Sequence, residues 1–420
     1  MKSSLLFFLM ILPSVAPAQS LTRRAFEAQP RFREAALAER RFRHADLLPL
    51  FDSLKKVPGF GVEEIGRSTQ NRAIFKVKLG KGPVPVLLWS QMHGDEPTAT
   101  MAIFDLLRFL GKSGDEFDAV RRAILDRCTL HFVPMLNPDG AEAWKRQTAL
   151  GIDMNRDALR LQTPEGRLLK HLQQSLKPLV GFNLHDPVNR YSAGWSREPS
   201  TLGFLAPAYD ETLGINPARE RAMKLISLMC TELDGLIPGK MGRWNIEYEP
   251  RAFGDNIQKW GTSLVLIESG VFPNDPEKQH VRRLTFATLL TALEAIATER
   301  YAVASTDRYE ALPENARALF DLLIRNATVL VNGEKITYDV AINRQETALF
   351  NRPEKWYTRG TVEDLGDLST FFGTDELDAT GLTLEPLEGP LKLGSKADFV
   401  LKNVEGNRVW RVENGALRRE

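Results

Sequence analysis

The chain has 420 residues, 43% of them hydrophobic and 26% charged, a composition ordinary for a globular protein and a length with room for two or three domains. Lys and Arg number 55 against 54 Asp and Glu, and the resulting net charge of +1 gives no basis for binding nucleic acid or an anionic membrane surface. Only Cys128 and Cys230 are present, which excludes a cysteine-built metal cluster and leaves His and carboxylates to form any metal site.

Lys2, the apolar run over residues 5–12 and the small-x-small triplet Ala16-Pro17-Ala18 match a secretory signal. Cleavage is expected after Ala18, with export to the periplasm or beyond. The apolar run is too short to span a bilayer, so no membrane span is expected in the mature chain. Residues 19–56 carry apolar positions at helical spacing and predict one or two surface helices. Two short strands are predicted within 62–79, around the Ser-Thr-Gln-Asn turn at 68–71. An apolar strand over 84–89 leads into His93-Gly94-Asp95-Glu96, and a helix over 97–110 starts at Pro97. Another helix is expected over 117–125. The strand at 129–136 runs straight into the turn Asn137-Pro138-Asp139-Gly140. Thr163 and Pro164 start a helix to about 176, and a short strand over 179–184 delivers His185. Asn216 and Pro217 start a helix that runs through Cys230. A third continuous apolar strand, 262–267, ends in Glu268-Ser269-Gly270, and a long amphipathic helix follows over 276–298. The pattern changes near 305. Residues 313–323 read as a connecting helix, and beyond them short alternating stretches with Asn-Gly turns at 332–333 and 414–415 predict a small β-rich domain. The expected organisation is a signal peptide over 1–18, an α/β domain over 19–305, and the linker helix with its β-rich domain over 306–420.

Four buried-looking strands thus end at His93, Asn137, His185 and Glu268. Continuous apolar strands alternating with helices predict a sheet covered on both faces, and in such sheets sites form at the carboxyl ends of the strands. His93 and Glu96 stand three residues apart on one turn, where an imidazole and a carboxylate can reach one cation of the zinc type. Alone, His-x-x-Glu is a weak pattern. The rest of the set gives it weight: the Asn137-Pro138-Asp139-Gly140 turn with Arg146 after it, Asp153-x-Asn155-Arg156, and the strand-end residues His185 and Glu268.

In order and in strand context this set resembles the zinc carboxypeptidase family over roughly residues 60–300. The resemblance implies a mixed, mostly parallel sheet of about eight strands flanked by helices, in agreement with the α/β pattern. A hydrolytic zinc site needs three protein ligands and one open position, and His93, Glu96 and His185 supply a His₂Glu set. A further carboxylate has to accept a proton from water and pass it to the leaving amine, and Glu268 fits. In the family, the residues matching Asn155 and Arg156 hold the substrate's terminal carboxylate. The one matching Arg146 polarises the scissile carbonyl, and the one matching Asp153 orients the first zinc histidine. Tyr248, 20 residues before Glu268, matches a Tyr that closes over the substrate, although its surroundings, Glu247 to Asp255, are unlike the digestive members. His131, inside a strand, and His44, His171 and His280, in charged or polar stretches, are set aside.

The function implied is an exported zinc metallocarboxypeptidase acting on the C-terminal bonds of peptides or peptide-like substrates, with peptidoglycan stem peptides as candidates. One alternative is an aspartoacylase-like zinc amidohydrolase that deacylates N-acyl amino acids. Another is a non-catalytic peptide-binding relative. The Asn-Pro-Asp-Gly turn and the Glu268-Ser269-Gly270 ending favour the first, and the intact ligand set with Glu268 argues against the last.

Overall fold

The computed structural model describes residues 19–187, 190–349 and 352–420. The expected signal sequence, 1–18, lies outside them. Two helices come first, α1 (Leu21–Ala28) and α2 (His44–Leu54). The strands β1 (Gly61–Arg67), β2 (Ala73–Leu79), β3 (Val84–Trp89), β4 (Cys128–Val133) and β5 (Val180–His185) follow, with α3 (Thr98–Leu110), α4 (Asp118–Arg127), α5 (Pro138–Ala143) and α6 (Pro164–Leu176) between them. Then come β6 (Ser192–Ala193), β7 (Leu202–Leu205), α7 (Pro217–Leu233), β8 (Met241–Arg243), α8 (Phe253–Lys259), β9 (Ser263–Ser269) and α9 (Gln279–Ala297). Eight of these strands form one mixed sheet in the order β1-β2-β4-β3-β5-β9-β7-β8.

The four strands that end at candidate residues, β4, β3, β5 and β9, are contiguous and mutually parallel. Their carboxyl ends therefore open on one edge of the sheet. Along β3 the two faces alternate, as a period of two requires. Val86 and Leu88 enter the core under α3, α7 and α9, whereas Leu87 and Trp89 enter a second core with Leu169, Phe253 and Ile257. Both faces are covered, so these strands read as unbroken apolar runs. Cys128 and Cys230 are buried and unpaired.

One ion pair ties the amino-terminal segment to this core. Arg282 on α9 and Asp105 on α3 are both fully buried, with Nη2–Oδ1 at 2.5 Å. Arg282 also donates to the Leu37 carbonyl at 2.5 Å, and Gln29 donates to Asp105 at 2.6 Å.

After α9, α10 (Asp307–Glu310) and β10 (Asn315–Ala316) still pack on the larger domain, where β10 pairs with β6. The helix expected over 313–323 is not formed. In its place β11 (Leu319–Val331) begins and pairs antiparallel with β12 (Glu334–Leu349). The apolar cluster Leu319-Phe320-Leu322-Leu323-Ile324 is compatible with either period over so short a run, and cross-strand burial decided for the strand. β13 (Arg352–Gly366), β14 (Phe372–Asp378), β15 (Thr383–Pro386), β16 (Phe399–Lys402), β17 (Arg408–Glu413) and β18 (Ala416–Arg419) complete a second, eight-stranded sheet with its own core.

Glu165, in the first turn of α6, is fully buried, and among the described residues neither carboxylate oxygen has a hydrogen-bond partner. Burial raises its pKa above the ordinary glutamate value. The folded chain therefore retains a proton that the unfolded chain releases. The stability linked to that proton is complete below the ordinary glutamate range and is lost as pH rises through the folded value. Glu165→Met, which removes both unpartnered oxygens, is expected to stabilise the fold by about 1–3 kcal/mol near neutral pH. Thermal unfolding at several pH values checks this, and the gap between variant and wild type should widen as the pH rises.

Candidate active site

The turn after β3 is bound to the turn after β4. Asn137 caps α5 by accepting from the Gly140 N–H at 2.9 Å, and its Nδ2 donates to the Met92 carbonyl at 3.2 Å. Gly94 packs directly on the Gly140 backbone, and a Cβ there would lie 1.9 Å from the Gly140 carbonyl carbon. Asp139 accepts from Ser68 Oγ at 2.7 Å and from the Gln70 N–H at 2.8 Å, which anchors the β1–β2 turn. The Asn-Pro-Asp-Gly turn thus braces the turn that carries His93 and Glu96.

His93, Glu96 and His185 are all buried and converge. Their ligand-type atoms lie within 4.8 Å of one another. His93 Nδ1 is 2.8 Å from Glu96 Oε1, and His185 Nδ1 is 2.8 Å from Glu96 Oε2. The two Nδ1 atoms are 3.2 Å apart. On its far side, His93 Nε2 lies 3.2 Å from Asp153 Oδ1. A carboxylate on the far nitrogen fixes the tautomer that turns the Nδ1 lone pair toward a cation. Two imidazole nitrogens and a carboxylate, buried and crowded together, fit a zinc ion both in donor type and in number.

The charges of the cluster act on one another. Burial alone would lower the His93 pKa, but the carboxylates of Glu96 and Asp153 outweigh it and raise it to about 9. Burial works against ionising Glu96, and the two imidazoles overcome it and hold its pKa well below the usual range. His185, fully desolvated, is pushed down. Arg146 donates to Asp153 Oδ2 through Nε at 3.0 Å, and its Nη1 lies 3.1 Å from His93 Nδ1. This brings a guanidinium onto the ligand cluster from the open side.

Glu268 is the cross-strand partner of His185 in the β5–β9 pairing. It is buried, and among the described residues its Oε2 has no hydrogen-bond partner. Burial, reinforced by the negative charge of Glu96, raises its pKa well above the ordinary value. Burial thus acts on both neighbouring carboxyl groups, and the two imidazoles reverse its effect for Glu96 and not for Glu268.

Asn155 and Arg156 lie in a short 3₁₀ turn capped by Asp153, whose Oδ1 accepts from the Asn155 N–H at 2.9 Å. Asn155 Oδ1 accepts from the Phe253 N–H at the start of α8 at 3.0 Å, which commits the oxygen and leaves the Nδ2 hydrogens for a ligand. The Arg156 guanidinium is partly exposed, with Nε 3.3 Å from Glu249 Oε2. Glu249 also takes two hydrogen bonds from the Arg251 guanidinium, at 2.9 and 2.8 Å, and one from the Arg251 N–H at 3.1 Å. Sequence reasoning passed over Glu249, and its only signal was a place beside Tyr248 in an unusual stretch. Tyr248 itself is half-buried in the irregular segment 244–250, and among the described residues its hydroxyl bonds none of the site side chains.

A buried His₂Glu donor set with a neighbouring glutamate, at the carboxyl edge of a mixed α/β sheet, can hold one divalent cation beside a carboxyl group able to exchange a proton. A model of the zinc carboxypeptidase family matches residues 53–170, and over that segment the chain resembles the family. Among curated proteins, an uncharacterised protein of Zymomonas mobilis is 29% identical over 116 residues, 27% of this chain and 29% of its own length. Carboxypeptidase SOL1 of Arabidopsis thaliana is 28% identical over 137 residues, 29% of this chain and 28% of its own. Carboxypeptidase 2 of Trichophyton rubrum is 29% identical over 132 residues, 31% of this chain and 22% of its own. The chain thus spans less than a third of the length of these relatives. The structure is similar to that of bovine thrombin-activatable fibrinolysis inhibitor in complex with tick carboxypeptidase inhibitor. That likeness has a TM-score of 0.50 at 12% identity and covers 63% of this chain and 98% of that one. A metallo-carboxypeptidase from Burkholderia cenocepacia is similar at a TM-score of 0.49 and 18% identity, over 61% of this chain and 69% of that one. The family match includes His93, Glu96, Arg146, Asp153, Asn155 and Arg156, and stops before His185 and Glu268.

Proposed function

We propose that the protein is a zinc metallocarboxypeptidase that removes C-terminal residues from peptides. The observation that carries this reading is the convergence of His93, Glu96 and His185 beside Glu268, with the Asn155–Arg156 pair on the same edge of the sheet. Zinc, when bound by the three ligands, supplies Lewis-acid polarisation of the scissile carbonyl and lowers the pKa of water. The chain supplies the rest. Glu268 accepts the proton of the attacking water and delivers it to the leaving amine, a task suited to its raised pKa. Arg146 offers N–H donors to the developing oxyanion, and Asp153 steadies both Arg146 and His93. Arg156 and the Nδ2 group of Asn155 receive the free carboxylate of the substrate. Arg156 already carries a carboxylate, that of Glu249, which supports this role. Tyr248, adjacent to Glu249, is the residue that would cover the bound end. The signal-like pattern over residues 1–18 supports export, and peptidoglycan stem peptides are then candidate substrates.

The clamp gives a direct test. A free C-terminal carboxylate gains a charge-assisted contact with Arg156. An amidated end loses that contact, and because Arg156 is partly exposed and keeps Glu249 as a partner the loss is that of one charge-assisted hydrogen bond, about 1.5–3 kcal/mol. At ~1.4 kcal/mol per decade, kcat/KM for the amide should be lower by roughly 10- to 100-fold. Arg156→Ala should lose most of that preference. Equal cleavage of both peptides by the wild type would instead point to a different amide substrate, and small N-acyl amino acids assayed in parallel identify an aminoacylase-type activity.

A further inference from the structure

Lys278 is the residue before α9. It is 7% exposed and has left-handed backbone, φ +49°. The turn is imposed by Asp275, whose carboxylate accepts the N–H groups of Gln279, His280 and Val281 at 2.8, 2.9 and 3.1 Å. A lysine in left-handed backbone, with its ammonium taken out of water, persists only where the surroundings compensate both costs. Here they do. Nζ donates to Asp186 Oδ1 and to the Ser269 carbonyl, the latter at 3.1 Å. Asp186 is the residue after His185, and Ser269 is the residue after Glu268. The other oxygen of Asp186 accepts from the Thr98 N–H at 3.2 Å and from the Thr98 hydroxyl, at the start of α3 just beyond Glu96. The Asp186 N–H in turn donates to Glu96 Oε2 at 3.2 Å. One buried ammonium and one buried carboxylate therefore join the three segments that carry Glu96, His185 and Glu268.

We propose that Lys278 is the positioning residue of the site. By holding the ends of β5 and β9 together it sets where His185 and Glu268 stand relative to each other, and through Asp186 it sets both relative to Glu96. The proposal rests on the reading of His185 as a zinc ligand and Glu268 as the acid–base group. Lys278 touches neither substrate nor metal in this scheme; it acts through the backbone of its neighbours.

Lys278→Met, in the full chain, keeps the aliphatic stem and removes the ammonium. Three measurements decide the matter: the zinc dissociation constant by competition with a chelating dye, the visible spectrum of the cobalt-substituted protein, and kcat and KM separately on a free-acid peptide. The zinc dissociation constant is expected to rise about 10–100-fold, the range found when groups supporting metal ligands are removed. The cobalt spectrum should change as His185 shifts, and kcat should fall with KM little altered. Asp186→Asn removes the same ion pair from the other side and should act in the same direction. If Lys278→Met does not fold, Asp186→Asn decides by the same three measurements. Because both residues belong to one network, the double variant should lose no more than the worse single variant. A folded Lys278→Met chain with wild-type zinc affinity, cobalt spectrum and kcat overturns the proposal, as do additive losses in the double variant. A wild type that binds no zinc, or hydrolyses no free-acid peptide, overturns the underlying reading, and this is seen before any variant is made.

Discussion

Glu268→Gln is expected to keep one zinc per chain and to lose roughly 10²–10⁴ of turnover, the range for a removed general acid–base group. The substitution preserves shape. The β5–β9 pairing that places the side chain beside His185 is made by the backbone and is untouched. Nor is metal binding threatened, because the donor set is complete without Glu268. What disappears is the group able to take a proton. The raised pKa of the wild-type carboxyl, caused by burial and by Glu96, is the property an amide cannot imitate. Zinc analysis of the purified variant, alongside steady-state kinetics, separates the two effects. Near-normal turnover would remove Glu268 from the mechanism.

His185→Ala should behave in the opposite way and lose metal and activity together. The His185 ring supplies one of the two Nδ1 atoms that stand 3.2 Å apart across the cluster. Without it, one imidazole and one carboxylate remain, fewer than the three protein ligands of a catalytic zinc site. The loss also takes from Glu96 Oε2 its 2.8 Å partner and leaves it the Asp186 N–H at 3.2 Å alone. The metal-free variant should therefore be less stable as well, by about the 1.5–3 kcal/mol of one hydrogen bond to a charged group. The readouts are metal content after dialysis and thermal unfolding. Stoichiometric zinc in that variant would mean that the ligand set is wrong.

The central sheet was legible in the sequence for a simple physical reason. The parallel strands β4, β3, β5 and β9 are buried on both faces, so they appear as unbroken apolar runs, and each run stops where the sheet edge meets solvent and chemistry. His93, Asn137, His185 and Glu268 stand out in the sequence by that edge effect, and Glu96 by its spacing of three residues from His93. The convergence of His93, Glu96 and His185 beside Glu268, however, depends on the order β4-β3-β5-β9, which no local pattern encodes. The family match ends at residue 170. Beyond that point the strands that deliver His185 and Glu268 are generic apolar runs, and only their end residues are distinctive. The helix expected over 313–323 failed because its apolar cluster is too short to reveal its period. Glu249 and Lys278 were invisible for another reason: a lone charged residue in a loop looks solvated until the fold shows what lies against it. Tyr248 was chosen by its distance from Glu268 along the chain, and a distance along an irregular loop carries little information about where a hydroxyl points.

The chain beyond α9 bears on how the protein is made. Tyr309 lies fully buried against the larger domain, its hydroxyl accepting from the Ala206 N–H at 3.1 Å and its own N–H donating to Ser227 at 2.9 Å. Pro313 then accepts from the Arg243 N–H at 2.7 Å, and β10 closes on β6. These braces reach β7, α7 and β8, at the flank of the sheet beside β9. During synthesis the ribosome will already have released β3, β5 and β9 while that flank still lacks its last supports. Maturation of the site is therefore expected to lag behind formation of the sheet that carries it, until residues 307–316 have emerged and docked.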